Sequence, residues 1–153
     1  MLPIKRILAP TDFSEPSYGG VHAADELARH FGAEVLLIHV VSPFHIVPPA
    51  GGLMDSGNIY TTVMEQIFDS AQTGIEEVRQ GKINQHLSSR SLVIQGSPAE
   101  EIARVAEEEK ADVIVLSTHG RTGWRRFILG SVAERVVRLA QCPVITIPAP
   151  DRE

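Results

Sequence analysis

The sequence predicts an α/β fold, a single doubly wound five-stranded parallel sheet of order 3-2-1-4-5 with four helices. Two observations carry that expectation. Short apolar runs alternate with longer amphipathic ones, the pattern of repeated βαβ units. The apolar runs are also nearly continuous, as in Val113-Ile114-Val115-Leu116, which suits strands covered by helices on both faces. Right-handed crossovers between five strands and four helices then leave few arrangements. The 153 residues are read as one domain, 1–153, long enough to bury a full core.

The first strand is expected over residues 5–9. The first helix follows over 15–31, with Tyr18, Val21, Leu27, Ala28 and Phe31 near helical spacing. Ser14 before Glu15-Pro16 reads as an N-cap with an early proline, and Gly32 as the stop. The second strand is expected over 34–40. Residues 42–58 hold three prolines and three glycines and read as a long loop. The second helix is placed at 60–79, with Val63, Ile67, Ala71, Ile75 and Val78 on one stripe. After a third strand at 89–95, Ser97-Pro98-Ala99-Glu100 reads as a capping box with proline at the first helical position, opening a helix to 109. A fourth strand at 112–117, a glycine-bearing loop at 118–130 and a fourth helix at 131–140 lead to the last strand, 144–147, stopped by Pro148.

Composition narrows the function. A net charge of −5 argues against nucleic acid as the partner, because phosphate binding shows as a basic excess. No apolar run approaches the ~20 residues that span a bilayer, so no membrane association is expected. The N-terminus lacks the apolar stretch and cleavage site of a signal peptide. The single cysteine, Cys142, rules out an internal disulfide and fits a reducing, cytoplasmic setting. It reads as a small buried hydrophobe. Positive charge crowds at Arg121, Arg125, Arg126, Arg135 and Arg138, either as a local anion site or as a solvated helix face.

In the expected strand order, the winding reverses between strands one and four. Ligands of open α/β sheets bind in the crevice beyond the carboxyl ends at such a reversal. The segments meeting there are Pro10-Thr11-Asp12 and the loop 118–130. Neither common nucleotide fingerprint is present: Ala9-Pro10-Thr11-Asp12-Phe13-Ser14 contains no glycine where a dinucleotide or P-loop motif needs it. The glycines follow strand four instead, in Ser117-Thr118-His119-Gly120-Arg121-Thr122-Gly123 and Gly130-Ser131. Gly120 and Gly123 permit close backbone approach. Gly130-Ser131 opens a helix, whose free N–H groups and dipole favour an anion. The dipole contributes roughly 0.3–1 kcal/mol, and hydrogen bonds to charged groups about 1.5–3 kcal/mol each. Several together reach the −8 kcal/mol or so of micromolar binding.

Each residue also has a structural reading. Ser131-Val132-Ala133-Glu134 is itself a capping box, so Ser131 serves either phosphate or the helix end. Asp12 either accepts from ribose hydroxyls or the adenine amino group, or caps the first helix with Thr11 or Ser14. His39 reads as a satisfied core residue, and His119 lies within reach of a phosphate. His22, His30, His45 and His86 show no metal-ligand spacing. Trp124 and Phe127 either stack on a base or pack the loop against the fourth helix.

Taken in order, Pro10-Thr11-Asp12-Phe13-Ser14, Leu37-Ile38-His39-Val40, Gly96-Ser97-Pro98, the stretch 117–131 and Cys142-Pro143-Val144 resemble the universal stress proteins over essentially the whole chain. The resemblance implies the same sheet order, a homodimer and, in one subgroup, ATP held by G-x-x-G, nine residues, then G-[ST]. Residues 121–129 separate Gly120 from Gly130-Ser131, so the second half of that motif is present; Ser117 stands at the first glycine. Carried over, Asp12 and the backbone of Val40 contact adenine or ribose. Gly120, Arg121, Gly130, Ser131 and Val132 hold the phosphates, bridged by Mg²⁺ or Mn²⁺. Pro10, Thr11, Leu116, Ser117 and His119 complete the cofactor-binding set, with no catalytic and no protein metal-ligand residue. The dimer has a physical counterpart in the apolar last strand, Val144-Ile145-Thr146-Ile147, an edge that invites antiparallel pairing with a second copy.

Three functions follow. The first is a dimeric, nucleotide-binding stress regulator with at most slow ATP hydrolysis, since no catalytic base for water is evident. The second is a dimeric interaction protein of the same family without nucleotide. The third, a nucleotide-using transferase, calls for an early H-x-G-H tag, and none appears.

Overall fold

The computed structural model describes residues 3–43, 56–118 and 129–148. Their elements are β1 (Arg6–Pro10), α1 (Glu15–Phe31), β2 (Glu34–Val41), α2 (Ser56–Lys82), β3 (Ser89–Gln95), α3 (Pro98–Glu108), β4 (Val113–Ser117), α4 (Ser131–Leu139) and β5 (Val144–Ile147). The strands form one sheet in the order β3-β2-β1-β4-β5 with every neighbouring pair parallel, as expected.

Alternation along the strands builds two cores. Ile7, Ala9, Val35, Leu37, Val113 and Val115 pack beneath α1 and α2. Leu8, Leu36, Ile38, Ile114 and Leu116 face the other way, beneath α3 and α4. Each fully buried aliphatic side chain contributes about 1.5–3 kcal/mol relative to exposure, which offsets the entropy of ordering the chain.

Most helix ends follow local chemistry. Ser14 caps α1 by accepting the Ser17 N–H, and Gly32 stops it in the left-handed region at φ 66°, its N–H donated to the Ala28 carbonyl. Two expectations need correction. Helix α2 begins at Ser56, inside the loop expected at 42–58, and runs to Lys82. Its stripe of Met64, Ala71, Ile75 and Val78 is buried with Tyr60 packed alongside, and that packing outweighs the ~1 kcal/mol helix penalty of Gly57. The capping box at Ser97 does not form. Its hydroxyl donates to the Glu100 carboxylate at 2.5 Å, and that carboxylate is shared with Arg135 of α4.

At the amino ends of the strands, Arg90 bridges Glu34 (2.9 Å) and Glu109 (2.6 Å), and Arg6 also meets Glu34 at 2.9 Å. The Arg90 guanidinium holds both carboxyls below the usual carboxylate range. This network is partly exposed and lies at the end of the sheet opposite the crevice; its contribution to stability is small.

The crevice has a backbone cause. The β1–β2 ladder runs from Arg6↔Glu34 to Pro10↔Ile38, whereas the β1–β4 ladder holds only Ile7↔Val113 and Leu8↔Ile114. The Lys5 carbonyl accepts Glu34 N–H and the Thr11 N–H donates to the Ile38 carbonyl, so odd residues of β1 face β2. Arg6 accepts Asp112 N–H, so even residues face β4. The next donor toward β4 would be Pro10, which has no N–H. Pairing stops there, and the two strands part.

Candidate functional site

A cavity of about 1100 Å³ opens where β1 and β4 part. Pro10, Thr11 and Asp12 line it from the end of β1, Val40 from β2, Leu116 and Ser117 from β4, and Gly130, Ser131 and Val132 from the start of α4. The topology therefore brings together every candidate residue that falls within the described structure. His119, Gly120 and Arg121 lie outside the described residues, as do Gly123, Trp124, Phe127 and His45.

The β1 turn is tightly tied. Asp12 accepts at Oδ1 from the Ser14 N–H (3.0 Å) and from the Ser14 hydroxyl (2.5 Å). It thus braces the helix entry and lines the cavity at once. Thr11 Oγ1 accepts the Phe13 N–H at 3.1 Å and pairs with Ser17 Oγ at 2.9 Å. The Ser17 hydroxyl donates to the Ser14 carbonyl, so its proton is engaged and Thr11 is the donor in that pair. Phe13 holds φ 64°, a conformation that costs an aromatic residue about 1–3 kcal/mol. That backbone lays its ring on His39, with centroids 4.2 Å apart. His39 Nδ1 sits 2.8 Å from the Thr11 carbonyl, which only accepts, so the proton is assigned to Nδ1. His39 is satisfied as expected, but it stands half-buried on the cavity wall instead of inside the core.

At the start of α4, Ser131 does not take the capping role. Gly130 is the N-cap, no side chain caps the helix, and Ser131 is the first helical residue. The Gly130 carbonyl accepts the Glu134 N–H at 2.9 Å, and its own N–H donates to the Thr118 carbonyl at 2.7 Å. The amides of Ser131, Val132 and Ala133, which have no intrahelical partner, therefore stand at the cavity wall. Thr118 also donates its N–H to the Ile147 carbonyl, which fixes the start of α4 to the end of β5.

Ser117 Oγ is buried and has no hydrogen-bond partner among the described residues. Leaving such a hydroxyl unsatisfied costs about 1–3 kcal/mol. Ser117→Ala should therefore raise the stability of the ligand-free protein by about 1 kcal/mol; a lower urea midpoint would show that the hydroxyl is satisfied in solution.

The bland alternative holds for part of the arginine cluster. Arg138 pairs with Glu134 at 2.8 Å and Arg135 with Glu100, so these two belong to an exposed helix face; Arg121, Arg125 and Arg126 lie outside the described residues. Cys142 is partly buried, and burial pushes its thiol pKa up, as an inert thiol requires. Among the described residues no group of histidine, cysteine and acidic side chains could hold a metal ion, and no helix is long and apolar enough to cross a membrane.

Sequence reasoning missed two contributors. Gly20 of α1 lies against the backbone of Leu116 and Ser117, and the Gly19-Gly20 pair within an otherwise helical run was the available signal. The inner face of α2 supplies Val63, Gln66, Ile67, Ser70 and Ala71 to the cavity, although that helix was read only as a cover for the sheet.

Comparison with known proteins places this geometry among relatives. Residues 3–148 match the model of the universal stress protein family. Universal stress protein MJ0531 of Methanocaldococcus jannaschii is 37% identical over 149 residues, covering 97% of this chain and 85% of that protein. The solved structure of MJ0577, from the same organism, superposes with a TM-score of 0.82 at 25% identity, covering 97% of this chain and 99% of that one. A universal stress protein solved in complex with cAMP shares the fold at a TM-score of 0.62 and 19% identity, covering 96% of this chain and 98% of its own.

Proposed function

The chain belongs to the universal stress protein family, and on that premise we propose that it binds ATP or a related adenine nucleotide as a dimeric stress-response regulator. One observation carries the reading. The uncapped start of α4 and the acidic turn after β1, far apart in sequence, line a single cavity at the reversal of the sheet. The fold holds cAMP in one of the solved relatives.

In this reading Asp12 and the backbone of Val40 face the adenosine, with Pro10, Thr11 and Leu116 forming its walls. The phosphates lie at the front of α4, where the amides of Ser131 and Val132 and the helix dipole favour negative charge. Gly130 contributes a surface without a side chain, since its own N–H is engaged by Thr118. His119, Gly120 and Arg121 join from the family motif. Bound Mg²⁺ or Mn²⁺ would neutralise phosphate charge, held through the phosphates themselves. The only carboxylate on the described wall is Asp12, which is tied to Ser14, so hydrolysis is expected to be slow at most. The protein is taken to act in the cytoplasm.

Release and identification of adenine compounds from the denatured protein, followed by calorimetric titration with ATP, tests the site. Asp12→Ala and Gly130→Val should each weaken ATP at least tenfold, about 1.4 kcal/mol. Wild-type protein that carries no nucleotide and whose melting temperature ignores ATP would instead favour the interaction protein without nucleotide. Ser117, a side chain where the family's ATP motif has glycine, is the feature that favours that second reading.

The dimer is read onto β5, which among the described residues pairs only with β4 and leaves its outer edge open. Sedimentation at micromolar concentration should give a two-fold dimer; a monomer throughout would remove it.

A further inference from the structure

The cavity exceeds the ~300–1,000 Å³ usual for a small-molecule site, and its walls come from both cores. Ile38, Val40, Ile102, Leu116 and Ala133 belong to the layer under α3 and α4. Phe13, Val41, Ile67 and Ala71 belong to the layer under α1 and α2. Strand alternation explains the division: successive side chains of β2 point to opposite faces, so the cavity straddles the carboxyl edge of the sheet. The nucleotide contacts proposed above lie on the α3/α4 side, from Val40, Leu116 and the start of α4, or at the end of β1, from Pro10, Thr11 and Asp12. The Phe13 ring and the α2 residues Val63, Gln66, Ile67, Ser70, Ala71 and Gly74 have no assigned occupant.

We propose that the α1/α2 half of the cavity is a second binding site, for an uncharged, flat, mainly apolar small molecule that binds alongside the nucleotide. The word alongside rests on the nucleotide reading; the second site itself rests on the walls. One wall is aromatic, the ring of Phe13 stacked on His39. Val63, Ile67 and Ala71 of α2 add aliphatic surface to the same half of the cavity. Together the aromatic and aliphatic surfaces form an apolar slot suited to a flat group. Gly74 brings α2 close at the base of the slot, since a Cβ there would lie 3.5 Å from the Phe13 ring.

The chemistry of the lining excludes a charged occupant. No lysine, arginine or glutamate is among the described lining residues, and the one acid, Asp12, sits at the junction with the nucleotide half. A charge placed between these walls would be desolvated without a partner. The Thr11 and Ser17 hydroxyls are engaged with each other, with the Ser14 carbonyl and with the Phe13 N–H. Gln66 and Ser70, one helical turn apart on the exposed rim of α2, supply polar recognition on this side. They offer a neutral donor and acceptor to one edge of the guest.

Indole, flat and neutral with a single N–H, is a suitable probe of the full chain by two-dimensional amide NMR. With ATP saturating, indole should shift the Phe13, Ser70 and Gly74 amides saturably and leave those of Ser131 and Val132 unmoved. Ser70→Trp, which fills the slot from its rim, should weaken indole at least tenfold while its ATP titration matches wild type and so reports an intact fold. Gln66→Trp provides the same plug from the neighbouring turn. The proposal is overturned if indole produces no saturable shift, if ATP displaces it, or if both plugs leave its affinity unchanged. Indole shifts at the slot in a protein that ignores ATP would support the second site and count against the nucleotide reading.

Discussion

Gly20→Val should destabilise the protein by about 3 kcal/mol, read as a lower urea midpoint. A Cβ at Gly20 would sit 2.8 Å from the Ser117 amide nitrogen and 3.0 Å from both the carbonyl carbon and the Cα of Leu116. These are backbone atoms of β4 and cannot rotate away as the tip of a side chain would. Helix α1 must lift off the strand instead. The better helix propensity of valine returns only a few tenths of a kcal/mol, too little to offset the clash. The same displacement reaches the cavity, because α1 carries Ser17 and follows the turn that holds Thr11 and Asp12, while Ser117 lines it from β4. ATP affinity should therefore fall together with stability. Gly19→Ala is the control: its Cβ would meet only Ile147 Cγ2 at 3.7 Å, an ordinary contact, and the midpoint should hold or rise. Equal effects at the two glycines would refute the close approach of α1 to β4.

Leu8→Ala should cost about 2–5 kcal/mol. Leu8 is fully buried at the centre of the sheet, opposite Leu36 on β2 and Ile114 on β4, and it packs under α3 and α4. Its neighbours are held from both sides by ladder hydrogen bonds, so they cannot collapse into the space left behind. Removing the branched side chain then loses both transfer energy and packing contacts. The midpoint should drop with the denaturant slope unchanged, the sign of lost stability without a change in the surface exposed on unfolding. Val137→Ala, on the exposed face of α4, should stay within about 0.5 kcal/mol of wild type. A Leu8 effect as small as that would place the centre of the core elsewhere.

Much of the frame was legible because its determinants are local. Continuous apolar runs located all five strands, Ser14 and Gly32 bounded α1, and the alternation of elements together with handedness set the strand order. The two loops at the reversal followed from that order, which is why the candidate residues outside 119–128 meet at one cavity. Where the local signals misled, a distant group had intervened. Ser97 had the letters of a capping box, yet Glu100 is drawn to Arg135 in another helix. Ser131 had the letters of a cap as well, but Gly130 takes that place with its N–H held by Thr118, a partner too distant in sequence for local signals to show. Residues 56–58 read as loop because they end a stretch dense in proline and glycine, and α2 overrides them through burial further along its stripe.

The order of residues alone determined the periodicities, the turn chemistry and hence the topology, since each depends on neighbours within a few positions. It also placed Pro10 where β1 must lose its next donor. Only the folded chain decided how closely α1 approaches β4 at Gly20, that Ser117 Oγ is left without a partner among the described residues, and that one cavity reaches into both layers. Those properties arise between side chains and backbones brought together from distant parts of the sequence, where packing distance, not residue type, sets the outcome.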